Sequence, residues 1–202
     1  MPANKSINLY LAKIAPSKVE TLSPEKFDFQ IFDSPLEMHN KIKEKNKVNN
    51  KSRVVAGYCW DWISQKRPDL KDITIDPFGY KATWNLTSDG SEWIISPKSV
   101  EEVGCIHTCQ GLEVDYVGVI IGPDLRVMDG QLMTDPSARA KTDKSLAGYK
   151  KALKEDPINA ELKADEIIRN TYRTLMSRGM KGCYVHFTDP ATAEYFKDHL
   201  PK

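Results

Sequence analysis

Apolar and polar segments alternate along the chain in a way that predicts strands separated by helices. The segment 27–33 (FDFQIFD) predicts a strand, and the segment after it starts like a helix, with Ser34 as N-cap and Pro35 in the first turn. A second apolar run, 53–60 (RVVAGYCW), predicts a buried strand. A strand, a helix and a strand in this order favour a parallel crossover unit, the building block of α/β folds.

The second half of the chain repeats this alternation. The run 115–122 (DYVGVIIG) is the clearest buried strand, and 181–187 (KGCYVHF) predicts another. Between them, apolar residues from Ile168 to Met176 recur at helical spacing, and Gly179 fits the position that commonly ends a helix. A last helix is expected from about residue 189. These elements again favour a parallel sheet flanked by helices.

Three stretches are less regular. ATWNL and EWIIS, on either side of Asp89-Gly90, predict a small β-hairpin insertion at about 80–96. The polar stretch 124–157 predicts irregular chain followed by a short helix. Residues 1–26 are weakly patterned and are interpreted as a lead-in or partly disordered segment. The predicted domain therefore covers 27–202 and is α/β, with a mainly parallel sheet.

The composition is ordinary for a globular protein. The 202 residues are 40% hydrophobic and 28% charged, with a formal net charge of +1, so a nucleic-acid surface would have to be a local patch. The chain contains no apolar run of bilayer length and starts without the apolar core of a signal peptide. We therefore expect a cytoplasmic protein without a membrane partner.

The cysteines raise the question of a zinc site. Cys105, His107 and Cys109 are close in sequence, but structural zinc sites usually need a second pair of ligands, and Cys59 and Cys183 stand alone. Buried free thiols in a reducing compartment are the favoured interpretation. We therefore predict no metal ligands in this chain.

The loop 107–113 (HTCQGLE) is the first candidate for chemistry, because loops at strand ends carry the functional groups of α/β folds. Gly111 allows a backbone N–H to come close to a ligand. The polar members of the loop are His107, Thr108, Gln110 and Glu113. Taken by residue type alone, His107 is more often a structural histidine, and Glu113 is equally compatible with capping a turn.

The second candidate is Arg178, in the last turn of the predicted long helix. An arginine at a domain edge can neutralise the charge that builds on a transferring phosphoryl group. Arg169 and Arg173 are four residues apart and are interpreted as a solvated helix face. The four tryptophans, Trp60, Trp62, Trp84 and Trp93, favour a core role over base stacking. The chain contains no GxxxxGK[ST] phosphate loop.

Together the two candidate segments resemble a known family. The segment 106–122 (IHTCQGLEVDYVGVIIG) resembles motif V of superfamily 1 helicases, and 170–185 (NTYRTLMSRGMKGCYV) resembles motif VI, in the family's order and separation. With 54–62 (VVAGYCWDW), they look more narrowly like the bacterial relatives of the Schlafen helicase domain. The resemblance runs from about residue 27 onward and implies a second, RecA-like (P-loop NTPase-type) helicase domain.

The resemblance implies roles for residues near a nucleotide. Arg178 matches the family's arginine finger, which contacts the γ-phosphate and is the catalytic residue. Glu113 matches the glutamate that reaches the ribose, and Gln110 and Gly111 match the adjoining positions of the cofactor-binding loop. Gly179 stands where the family usually has alanine.

The resemblance also implies a nucleic-acid contact and a packing residue. His107 and Thr108 match loop positions that lie near the backbone of a single strand. Tyr172 matches an aromatic residue before the motif VI arginine, which we interpret as packing.

The implied protein is the C-terminal half of an ATP-dependent helicase or translocase. ATP with Mg²⁺ would lie between two lobes, with the metal held mainly by an N-terminal P-loop ATPase domain. That domain and single-stranded DNA or RNA are the implied partners, and this chain alone should not hydrolyse ATP. We expect Arg178 and Glu113 to share an open face at the carboxyl edge of the sheet.

Two alternatives belong to other classes of protein. One is a degenerate RecA-like module that binds nucleic acid or protein without an ATPase role. The other is a nuclease partner of restriction or phage-defence type, for which the clustered acidic metal ligands are missing from the sequence.

Overall fold

The structure is a computed structural model that describes residues 27–85, 92–109 and 113–199. The prediction for 1–26 lies outside these residues, as do the roles predicted for Gln110 and Gly111. In chain order, the strands are β1 Asp28–Ile31, β2 Ser52–Ala56, β3 Ile73–Ile75, β4 Tyr80–Ala82, β5 Val103–Gly104, β6 Val114–Ile121, β7 Leu125–Met128, β8 Gln131–Thr134 and β9 Gly179–Phe187. The α-helices are α1 Pro35–Asn49, α2 Tyr149–Glu155, α3 Pro157–Met176 and α4 Pro190–Asp198.

A parallel five-stranded sheet organises the described chain, in the order β1-β9-β6-β2-β5. β6 and β9 form its centre and pair from Val114 to Ile121. Both strands are almost continuously buried, as expected for parallel strands that are covered on both faces. The predicted fold class, a mainly parallel α/β sheet flanked by helices and consistent with a RecA-like fold, is confirmed.

Helix α1 covers one face of the sheet. It begins as predicted, because the Ser34 hydroxyl accepts a hydrogen bond from the Glu37 backbone N–H at 3.3 Å, with Pro35 in the first turn. Met38 and Ile42 are fully buried on this face. They approach β6 closely at Gly118, where a side chain would collide with Ile42.

Helices α3 and α4 cover the opposite face. The apolar stripe of α3 packs on alternate residues of β6 and β9, and Phe196 of α4 stacks on Phe187 with ring centroids 4.9 Å apart. The residues of α3 that form this stripe are Ile168, Tyr172, Leu175 and Met176. Every described helix is too short or too polar to span a bilayer.

The predicted hairpin at 80–96 is misplaced. The antiparallel pair lies earlier in the chain, between β3 and β4, and residues 92–95 form a turn closed by hydrogen bonds to the Glu92 carbonyl. Trp93 turns inward and is 1% exposed, with its indole N–H donating to Glu102 Oε2 at 2.9 Å. Burial of this large side chain takes precedence over the alternating pattern. Residues 86–91 lie outside the described chain.

Two further predictions need correction. The stretch expected to be irregular contains the antiparallel pair β7–β8, whose turn has Asp129 and Gly130 at positive φ. Gly179 does not end the long helix: α3 ends at Met176, Ser177 caps it, and Gly179 starts β9. A side chain at Gly179 would collide with the Gly182 carbonyl, so close backbone approach explains this glycine.

Candidate functional site

β5 ends at the carboxyl ends of the parallel strands (the carboxyl edge of the sheet), whereas β6 begins at their amino ends (the amino edge). Gly104 ends β5 level with Val55, near the carboxyl end of β2. β6 begins at the opposite edge, since its Tyr116 already pairs with Ser52, the first residue of β2. His107 therefore lies in the turn after the carboxyl end of β5, whereas Glu113 directly precedes β6 at the amino edge.

Glu113 and Arg178 lie next to each other at the amino edge. The Val114 N–H donates to the Arg178 carbonyl at 3.0 Å, and Val114 pairs with Gly179. Each of the two candidates therefore directly precedes one of two neighbouring parallel strands. Glu113 is exposed and Arg178 is half-buried. The expectation that they meet at the carboxyl edge is wrong, because both come before their strands rather than after them.

Arg178 is held at the end of α3. Its Nε donates to the Thr174 carbonyl at 3.1 Å. The Arg178 side chain also lines a small pocket together with Cys109, Val114 and Trp93. Burial raises the pKa of the Cys109 thiol to about 12, so this sulfur is a neutral thiol beside the guanidinium. The pocket wall is thus largely apolar, and the positive charge is its main electrostatic feature.

Arg53 also lines this pocket, although in the sequence it stands only at the start of an apolar run. It is 1% exposed and donates to the side-chain oxygens of Asn46 at 2.7 Å and Asn50 at 3.0 Å. Its Nη2 also donates hydrogen bonds to the backbone carbonyls of Ile94 and Ser96. Burial lowers the pKa of the Arg53 guanidinium to about 10. Arg53 therefore fastens the 92–96 turn to the end of α1.

His107 and Thr108 lie at the carboxyl side of the connection. The Thr108 hydroxyl donates to Asn85 Oδ1 at 2.7 Å and lies 3.3 Å from Cys105 Sγ, so it braces the turn. His107 is exposed. The fold brings Glu113 and Arg178 together at the amino ends of the strands. His107 and Thr108 lie at the opposite, carboxyl ends. Gln110 and Gly111 lie outside the described residues.

A buried polar network at the carboxyl edge was missed entirely. The Tyr172 hydroxyl accepts from the Gly122 N–H at 2.9 Å and donates to Asp124. Arg139 Nη1 bonds the other oxygen of Asp124 at 3.0 Å, and Arg139 also pairs with Asp143 at 2.7 Å. The network joins the end of β6, the stretch after β8 and helix α3.

Burial and the neighbouring charges together set the electrostatics of this network. Tyr172 is 0% exposed, and burial, reinforced by the charge of Asp124, raises its pKa well above the usual value. Burial opposes the charge on Arg139, but Asp124 and Asp143 outweigh it and raise the pKa of Arg139. Tyr172 was predicted to be a packing residue, and its hydroxyl has a specific bonding role as well. Asp124 is the third residue after a buried strand, which places it at a strand end but does not indicate its partners.

The described residues contain no group of three or more His, Cys, Asp or Glu side chains that is arranged to hold a metal ion. The four cysteines are free: Cys105, Cys109 and Cys183 are buried and Cys59 is half-buried. What the candidate site offers is one carboxylate and one guanidinium at an open sheet edge.

Comparison with known proteins gives the family. The chain matches the family model "Schlafen group 3, DNA/RNA helicase domain" over residues 6–189. It is 30% identical over 174 residues to a Saccharomyces cerevisiae protein, "Uncharacterized protein YPL245W", and this match covers 84% of the chain and 36% of that protein. The chain thus spans about a third of its relative, and the predicted bacterial origin stays a prediction. With most of its length matched, the chain belongs to the Schlafen group 3 DNA/RNA helicase domain family.

Proposed function

We propose that this domain is the second, RecA-like lobe of an ATP-dependent nucleic-acid helicase or translocase. It would supply motif V and motif VI residues to ATP held by a separate lobe with a phosphate loop. The observation that carries the proposal is the juxtaposition of Glu113 and Arg178 at the starts of β6 and β9, fixed by the 3.0 Å bond from the Val114 N–H to the Arg178 carbonyl.

The residues at this edge fit a nucleotide in charge and exposure. Exposed Glu113 is a hydrogen-bond acceptor suited to ribose hydroxyls, and half-buried Arg178 is a donor suited to a phosphate. Charge develops on the transferring phosphoryl group, so a guanidinium placed there stabilises the transition state more than the ground state. Mg²⁺ would neutralise the remaining phosphate charge, and its ligands would come mainly from the other lobe.

Nucleic acid would bind at the opposite edge, near His107 and Thr108. Backbone phosphates are held by hydroxyls, amides and basic groups, which needs no strongly basic domain. Exposed His107 is available for such a contact. The connection 105–113 runs from this turn to Glu113 at the ATP edge, so closure of the two lobes on ATP would shift the grip on the strand.

The test is hydrolysis by the full-length protein that contains both lobes. Arg178→Ala should keep nucleotide binding, measured by calorimetry, and lower kcat about 10³-fold, because the finger acts mainly in the transition state. Arg67→Ala is the matched control, since Arg67 is an exposed arginine paired with Asp69 at 3.1 Å in a surface loop. An unchanged kcat in Arg178→Ala would show that another residue is the finger.

The isolated chain provides a second test. It should show no ATP turnover above the blank with Mg²⁺ and ATP, because it contains no phosphate-loop motif. Robust turnover by the 202-residue chain would overturn the division of the ATP site between two lobes.

A specific observation favours one alternative, a binding module without an ATPase role. Arg178 Nε already bonds the Thr174 carbonyl, which directs the side chain back along its own helix. In that case nucleic-acid binding would persist while the full-length protein failed to hydrolyse ATP in any condition. Hydrolysis that depends on Arg178 excludes this alternative.

A further inference from the structure

The stretch between β8 and α3 has a charge unlike that of the rest of the chain. Segment 139–154 (RAKTDKSLAGYKKALK) holds six of the 29 basic residues and one of the 28 acidic ones. The remainder of the chain is therefore net acidic. The net charge of the whole chain is near zero although this segment is strongly basic, and a local basic patch of this kind attracts polyanions.

The lysines of α2 project away from the protein. Tyr149 and Leu153, one turn apart, are half-buried on the side of α2 that packs on α3. The outward residues are Lys150, Lys151 and Lys154, and Lys141 and Lys144 are exposed in the preceding turns. Within the described chain, the one ion pair of these lysines is Lys151–Glu155, at 3.8 Å between well-exposed side chains. Exposed pairs of this kind are weak and do not compete strongly with a ligand.

The segment is anchored although its lysines are exposed. Arg139 is used internally, since its side chain is 2% exposed and pairs with Asp124 and Asp143. The Ala140 N–H donates to the Tyr58 carbonyl at 2.9 Å, and Asp143 Oδ1 accepts from the Ser145 N–H. A fixed scaffold reduces the entropy lost when a ligand binds. The five lysines are therefore displayed on a firm support.

The anchor places the segment beside the carboxyl edge. Tyr58 follows the end of β2, and β2 is the neighbour of β5, whose end carries the His107 turn. Tyr58, Trp60 and Trp62 are half-buried at this edge and pack against the buried cluster, so Trp60 and Trp62 lie at the margin of the core. Trp84, by contrast, is fully buried against Tyr58 and Trp60.

We propose that the lysines of 139–154, with the aromatic residues Tyr58, Trp60 and Trp62, form a binding surface for the sugar-phosphate backbone of single-stranded nucleic acid. Lysines are point charges without a planar fork, so they hold phosphates without reading sequence. Half-buried aromatic rings next to a basic surface still present part of each ring, and such rings suit unpaired bases, which stack regardless of identity. The inference rests on the proposed function in that the strand is the helicase substrate.

The test uses the 202-residue chain and fluorescence anisotropy with labelled oligo-dT and oligo-rU of about 20 nucleotides, a length chosen to exceed the site size of typical single-strand binding folds. The variant is Lys150→Gln/Lys151→Gln/Lys154→Gln. The matched control, Lys47→Gln/Lys81→Gln/Lys98→Gln, removes the same charge from exposed lysines elsewhere on the molecule. Circular dichroism should show equal folding, because all six side chains are exposed.

The α2 variant should bind about tenfold or more weakly than the control, and its slope of log K against log salt should be smaller by about 2, since each lost contact to a single strand removes about 0.7. Equal affinity in both variants would overturn this surface and leave the proposed function standing. Failure of the unaltered chain to bind either oligonucleotide would overturn this surface, whereas the proposed function is decided by hydrolysis in the full-length protein. If the unaltered chain bound polyglutamate or acidic vesicles but neither oligonucleotide, the surface would be assigned to a different partner.

Discussion

The two edges of the central sheet carry the same kinds of charge in opposite circumstances. At the amino edge, the carboxylate of Glu113 is exposed and the guanidinium of Arg178 is half-buried. At the carboxyl edge, Asp124 and Arg139 are 0% and 2% exposed and bond each other directly. Water access decides what each set is suited to do: the first is open to a ligand, while the second is occupied in holding elements together.

The energetics of the two edges should differ accordingly. Exposed ion pairs contribute about 0–1 kcal/mol, because water screens them and long side chains lose freedom. Removing one partner of a buried pair leaves an uncompensated charge and costs about 3–5 kcal/mol. Substitutions at the carboxyl edge should thus affect stability, and substitutions at the amino edge should affect ligand chemistry.

The largest stability effect is expected at Asp124. Asp124→Ala leaves buried Arg139 with half of its carboxylate partners and removes the acceptor of the Tyr172 hydroxyl. We expect a loss of about 3–5 kcal/mol in the free energy of unfolding, measured by urea denaturation. The triple variant Asp124→Leu/Arg139→Met/Asp143→Asn should recover part of that loss, because it removes all three buried charges and leaves none without its partner. A loss below about 1 kcal/mol in Asp124→Ala, within the range of an exposed pair, would contradict the comparison of the two edges.

A smaller effect is expected from the hydroxyl of Tyr172 alone. Tyr172→Phe leaves the Gly122 N–H and one Asp124 oxygen without this partner, which should cost about 1–3 kcal/mol. The matched control is Tyr149→Phe, which removes a hydroxyl from a half-buried tyrosine on α2. Equal losses in the two variants would show that Tyr172 acts by packing alone, as the sequence had suggested.

Local signals explain which parts of the fold could be predicted. The start of α1 depends on Ser34 and Pro35 next to the helix, and β6 depends on one uninterrupted apolar run. Such information lies within a few residues. The prediction of a hairpin at 80–96 was wrong because the burial of Trp93, a tertiary effect, overrides the local alternation.

Long-range pairing explains what could not be predicted at the site. Glu113 and Arg178 were both identified by motif resemblance, but their proximity depends on β6 lying beside β9, which the sequence does not specify. Tyr172 lies 48 residues from Asp124, and Asp124 lies 15 from Arg139. No local pattern indicates which of many polar residues meet at such separations. The network therefore follows only from the three-dimensional fold.

Two buried histidines should make the stability of the chain depend on pH. His186, at the carboxyl end of β9, is 2% exposed, with Nδ1 donating to the Phe32 carbonyl and Phe78 edge-on to the ring. Burial lowers its pKa from the ordinary value of 6.5, and burial lowers the pKa of His39 likewise. The unfolded chain then binds more protons than the folded one below about pH 6.5, so stability should fall as the pH drops through that value.

The free energy of unfolding should change by at most about 1.4 kcal/mol per pH unit for each such histidine. Urea denaturation at a series of pH values from about 7.5 to 5.5, the range around the ordinary histidine pKa, measures it. His186→Gln should reduce the slope of the free energy of unfolding against pH and leave the part of that slope that is due to His39. An identical slope in that variant would mean that His186 accepts a proton in the folded state without cost.

The smallest effect on stability is expected at the amino edge, and it tests the comparison from the other side. Glu113→Gln keeps the shape of an exposed side chain, so it should change the free energy of unfolding by less than about 0.5 kcal/mol. In the full-length protein the same substitution should weaken ATP binding, because an amide accepts hydrogen bonds from ribose hydroxyls less strongly than a carboxylate. A group that is dispensable for folding and necessary for the ligand is what an open functional edge requires. If Glu113→Gln instead destabilised the chain as much as Tyr172→Phe, the carboxylate would be serving the fold, and the amino edge would lose its claim to be the nucleotide side of the domain.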